Sequence, residues 1–118
     1  MDKRILVVED EEDILNLYMD VLRDAGFDVD GAENGKEALE KFEKNEYDLV
    51  ILDIRMPVMD GIETLARILE HRKDVKVIIN TAYGSYKDNF LTWGADAYLI
   101  KSSSMEELVN KVKELLNV

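Results

Sequence analysis

The chain has 118 residues, 26 acidic against 15 basic, a formal net charge of −11 and no cysteine. That length suits one domain with a core of its own, the lack of cysteine excludes disulfides and thiolate metal sites, and the acid surplus disfavours nucleic-acid backbones and anionic membranes. No apolar run nears bilayer-spanning length and Met1-Asp2-Lys3-Arg4 does not lead into a signal-peptide core, so a single soluble cytoplasmic domain over 1–118 is expected.

The elements alternate. Ile5–Val8 is a continuous apolar run, as a strand buried on both faces requires. Glu9-Asp10-Glu11-Glu12-Asp13 follows; its later acids suit a helix start, where negative charge meets the positive end of the helix dipole. Ile14, Leu15, Tyr18, Val21, Leu22 and Ala25 then recur at helical spacing, and Gly26 is a stop signal. Phe27–Asp30 alternates like a half-exposed edge strand. Asn34, with Glu37 three residues on, caps a second helix whose apolar face is Ala38, Leu39 and Phe42. Tyr47–Asp53 is the most apolar strand and is placed centrally.

Arg55–Gly61 is read as a loop, and Ile62, Leu65, Ala66 and Leu69 as the face of a third helix. Val75–Asn80 is a strand. Ser85–Trp93 is a weakly patterned fourth helix ended by Gly94; its Phe90 and Trp93 are read as core, with partner contact as the alternative. Ala97–Ile100 is the last strand. Ser103 or Ser104 caps a final helix with the face Met105, Leu108, Val109, Val112, Leu115 and Leu116. Five strands and five helices in strict alternation predict an α/β fold: a doubly wound, flavodoxin-like parallel sheet in the order 2-1-3-4-5 with right-handed crossovers.

In that order the first and third strands are neighbours, and their carboxyl ends share the rim where open α/β sheets bind ligands. Glu9, Asp10 and Asp53 converge there, with Thr81 and Lys101 closing the next two strands. Carboxylates held together repel, and a hard divalent cation relieves them; Mg²⁺ or Mn²⁺ suits an oxygen donor set. A carboxylate is also a competent nucleophile toward phosphorus, Lys101 can offset phosphoryl charge, and Thr81 can donate a hydrogen bond. His71, the only histidine, is placed on the surface, which leaves no Ser/His/Asp triad.

Val7-Val8-Glu9-Asp10-Glu11, Leu52-Asp53-Ile54-Arg55-Met56-Pro57-Val58-Met59-Asp60-Gly61, Asn80-Thr81-Ala82 and Tyr98-Leu99-Ile100-Lys101 together resemble the receiver domain of two-component response regulators. The Asp-x-x-Met-Pro-x-Met-Asp-Gly loop is specific, and the likeness covers the whole chain. It implies that Asp53 accepts a phosphoryl group from a phosphohistidine on a histidine kinase or phosphotransfer protein. It implies that Glu9, Asp10, Asp53 and the backbone carbonyl of Arg55 hold Mg²⁺ (or Mn²⁺). Lys101 pairs with the phosphoryl group, while Thr81 and Tyr98 move in response and rearrange the face of the fourth helix, fifth strand and last helix. An unidentified downstream protein would read that face, with no direct binding to nucleic acid or membrane. The family commonly has proline after the lysine; here Ser102 follows Lys101.

Three other functions compete with this one. A degenerate receiver would bind a partner without phosphorylation; the intact acidic set, Thr81 and Lys101 argue against it. An aspartate-nucleophile phosphatase of the haloacid-dehalogenase type wants an acid two residues after Asp53, where Arg55 stands. A flavodoxin-like cofactor binder wants a glycine-rich loop after the first strand, where the acids stand.

Overall fold

The apolar runs form one parallel five-stranded sheet in the order β2-β1-β3-β4-β5. In the computed structural model the residues described are 3–54, 58–71, 74–82, 94–100 and 104–118. The strands are β1 (Arg4–Val8), β2 (Asp28–Ala32), β3 (Leu49–Ile54), β4 (Lys76–Thr81) and β5 (Ala97–Ile100). The helices among the described residues are α1 (Glu12–Asp24), α2 (Gly35–Lys44), α3 (Val58–His71) and α4 (Met105–Leu116). The helix expected over 85–93 lies outside the described residues.

The strand positions alternate between two cores. Leu6, Val8, Val50, Leu52, Val77 and Ile79 face α2 and α3, packing with Ala38, Phe42, Leu65 and Ile68. Ile5, Val7, Leu49, Ile51, Ile78 and Leu99 face α1 and α4, packing with Leu15, Leu22, Leu108 and Val112. Ile5, Leu6 and Val7 are wholly buried, and each such side chain contributes about 1.5–3 kcal/mol relative to exposure. This two-sided burial is why the strands read as unbroken apolar runs.

The helix ends follow their sequence signals. Asn34 Oδ1 accepts the Glu37 amide hydrogen at 2.8 Å, and Ser104 Oγ accepts that of Glu107 at 3.1 Å. Of the two candidate serines, Ser104 is the cap of the last helix. Chain reversal after α1 uses Gly26 at φ +101°, a backbone angle that glycine tolerates and other residues rarely adopt.

Two boundaries differ from expectation. α3 begins at Val58, so residues 58–61 are helical rather than loop. Gly61 falls in the first turn of α3, outside the helix interior where glycine costs about 1 kcal/mol. β2 runs on through Gly31 and Ala32, which pair with Val7 and Val8. Hydrogen bonding to a fully formed neighbour outweighs glycine's weak strand preference.

At the amino ends of the strands, away from the rim, a polar cluster ties β1 to its neighbours. Arg4 reaches Asp28 at 3.1 Å and Asp30 at 2.9 Å, and its guanidinium lies 5.2 Å from the centre of the Tyr47 ring. The Tyr47 hydroxyl donates to Asp30 Oδ2 at 2.7 Å. Burial, reinforced by the Asp30 carboxylate, pushes the Tyr47 phenol well above its ordinary value.

Candidate functional site

The carboxyl ends of β1 and β3 lie side by side, with Val8 in register with Leu52. The residues that follow are Glu9 and Asp53. The Glu9 amide donates to Ala32 O at 2.9 Å, extending the ladder one residue past β1 and holding Glu9 in line. Its side chain is 1% exposed, and its Oε2 accepts the Glu11 amide hydrogen at 2.9 Å. Asp53 is half-buried and Asp10 exposed. Both Asp53 oxygens and Glu9 Oε1 are shielded from solvent, so an ion arriving from solvent meets Asp10 first.

Glu9, Asp10 and Asp53 each bring one carboxylate oxygen within 4.8 Å of the other two. At that separation two unit charges repel by about 3–4 kcal/mol at an effective dielectric of 20. The donor set is all oxygen and all anionic, which selects hard cations. A Mg²⁺ ion with ligands at about 2.1 Å spans about 4.2 Å between opposite oxygens. Adjacent ligands of such an ion lie about 3 Å apart, so three oxygens within 4.8 Å of one another can share one ion directly or through water, and the cluster fits a divalent cation. It also leaves a nucleophilic oxygen on Asp53 beside a place for positive charge.

Thr81 ends β4 at the same rim, 1% exposed and in register with Ile54. Tyr98, half-buried on β5, pairs with Ile79 and packs against the core under α2 and α3. Thr81 and Tyr98 thus share one face of the sheet, while Asp53 and Asn80, also paired in register, share the other. Lys101 and Arg55 lie outside the described residues, as do Phe90 and Trp93. His71 is exposed at the end of α3, its ring 6.2 Å from that of Phe42. The site has one neighbour that sequence reading did not single out. Asn80 Nδ2 donates to the Tyr18 hydroxyl at 3.0 Å in the buried layer between β4 and α1. The available signal was an amide closing an otherwise apolar strand.

Residues 5–113 match the family described as response regulator receiver domain. The transcriptional regulatory protein TrcR of Mycobacterium tuberculosis is 41% identical over 115 residues, which are 96% of this chain and 45% of that protein. The chain spans about half the length of the curated relatives it matches. A solved structure of the response regulator TrrA from Thermotoga maritima, in complex with Mg²⁺-BeF, is 49% identical with a TM-score of 0.87, covering 96% of this chain and 98% of that one. TrrA in complex with the histidine kinase ThkA superposes with a TM-score of 0.85 over 97% of this chain and 98% of TrrA.

Proposed function

Since the chain belongs to the response regulator receiver family, we propose that it is a phosphoacceptor switch in which Asp53 receives a phosphoryl group from a histidine kinase. The observation that carries the proposal is the convergence of Glu9, Asp10 and Asp53 oxygens within 4.8 Å at the rim of the sheet. The Mg²⁺-BeF complex and the kinase complex of TrrA support the choice of metal and of partner.

In this reading Glu9 and Asp10 hold Mg²⁺, with Asp53 and the backbone carbonyl of Arg55 completing the protein's share of its ligands. The bound ion supplies positive charge that offsets the phosphoryl oxygens. An Asp53 oxygen attacks phosphorus; a C–O–P acyl phosphate forms as the P–N bond of the phosphohistidine breaks, and that bond's electron pair leaves with the imidazole. Glu9, fixed by the Glu11 and Ala32 backbone contacts, keeps the acidic pair aimed at the rim. Lys101 takes a phosphoryl oxygen as ion-pair partner, and Thr81 donates to another. The modification brings about −1.5 to −2 units of charge and new acceptor oxygens. Thr81 and Tyr98 respond together from their shared face, altering the surface that includes β5 and α4.

The test uses acetyl phosphate or beryllofluoride with Mg²⁺. The wild-type protein is expected to gain one adduct by mass spectrometry or ¹⁹F NMR, and Asp53→Asn none. Continuous hydrolysis of phosphate esters would instead favour a phosphatase. No adduct in the wild type would favour a module that binds without phosphorylation.

A further inference from the structure

Asn80 breaks the pattern of its own strand. β4 runs Lys76-Val77-Ile78-Ile79 and then carries an amide with 4% exposure. A buried amide is costly unless its hydrogen bonds are made. Asn80 makes one with a residue 62 positions away, the Tyr18 hydroxyl, itself on a side chain only 7% exposed. Tyr18 belongs to α1, the helix that starts directly after the acidic pair. On its other flank Asn80 is in register with Asp53. Paired residues of parallel strands project from the same face, with strands about 4.8 Å apart. The amide therefore stands beside Asp53, braced from behind by α1.

We infer that Asn80, braced by the Tyr18 hydroxyl, is a positioning residue for the Asp53 carboxylate in phosphoryl acceptance. The inference rests on the phosphoacceptor reading and adds a residue to it. The amide is polar but neutral, so it occupies the flank of Asp53 without adding a fourth charge to the three carboxylates. Its hydrogen bond to Tyr18 limits how far it can rotate, and that limits how far Asp53 can swing toward β4. An in-line displacement depends on where the attacking oxygen sits, and small displacements slow it strongly. An apolar side chain at position 80 would fill the same volume with no brace. Tyr18→Phe keeps the ring and removes the brace alone.

The experiment compares wild type, Tyr18→Phe, Asn80→Leu and the double variant. It reads the rate of Asp53 phosphorylation by acetyl phosphate at saturating Mg²⁺, Mg²⁺ affinity by calorimetry, and the urea midpoint. Each single variant is expected to slow phosphorylation about tenfold. The double variant is expected to be no slower than the slower single, because the two groups act as one unit. Mg²⁺ affinity is expected to stay unchanged, since Glu9 and Asp10 are untouched. A merely structural bond would lower the urea midpoint and leave the rate alone, and that result overturns the inference. Should Asn80→Leu fail to fold, Tyr18→Phe decides. A wild-type protein that takes no phosphoryl group brings down the phosphoacceptor reading and this inference together; labelled wild type with equally fast variants brings down this inference only.

Discussion

Glu9 and Asp10 are adjacent in sequence yet differently placed, one buried with its carboxylate accepting from the Glu11 backbone amide, the other exposed. Asp10 therefore interacts with its neighbours largely through water, where two charges within 4.8 Å of each other repel by at least about 0.9 kcal/mol. Asp10→Asn is expected to stabilise the metal-free protein by about 1 kcal/mol and to weaken Mg²⁺ binding by roughly tenfold or more. Calorimetric melting and Mg²⁺ titration check both, and a less stable metal-free variant would refute the repulsion. Tyr47 sits at the opposite end of the sheet. Its phenol is raised by burial and by Asp30, so the folded state holds the proton more tightly than the unfolded chain. That stabilisation is complete below the ordinary tyrosine value of about 10 and is lost as pH rises above it. Stability is expected to fall above about pH 10, and less steeply in Tyr47→Phe, as urea midpoints against pH will report. The convergence of Glu9, Asp10 and Asp53 was readable because three acids end two apolar runs. The Asn80–Tyr18 bond was not readable, because a tyrosine at helical spacing looks like packing and nothing local links two residues so far apart.

The elements were legible where burial and local chemistry agree. β1 shows as an apolar run because both of its faces are covered, and α2 and α4 show through their caps. Local signals fail where tertiary pairing overrides them, as at Gly31 in β2, and the start of α3 lies ahead of the glycine that suggests a loop. The Ser104 cap matters because it starts α4, which covers the core under Asp53's face of the sheet. Ser104→Ala is expected to destabilise the fold by about 1 kcal/mol, with Mg²⁺ affinity unchanged. Urea unfolding beside a metal titration tests this, and a change in affinity without a change in stability would contradict it. Asn34→Ala is expected to act alike on α2.

At the scale of the whole molecule, the Arg4–Asp30–Tyr47 cluster holds one end of the sheet and the acidic site occupies the other. A cation that binds only the folded state stabilises it by mass action, about 2.7 kcal/mol at a free concentration a hundred times the dissociation constant. Added Mg²⁺ is therefore expected to raise the melting temperature, and EDTA to reverse the gain. An Asp10→Asn variant should show a smaller gain, and a melting point indifferent to Mg²⁺ would count against the metal site. The doubly wound order was visible because strict alternation of strand and helix leaves few topologies, and one alternating strand near the start marks the sheet's edge.

The last two side chains of β4 are rooted on opposite sides of the sheet, Asn80 toward α1 and Thr81 toward the layer of Tyr98. Every strand alternates in this way between the two hydrophobic layers. A displacement at the tip of β4 would therefore be felt on both faces of the sheet, by Tyr18 on one and by the Tyr98 layer on the other.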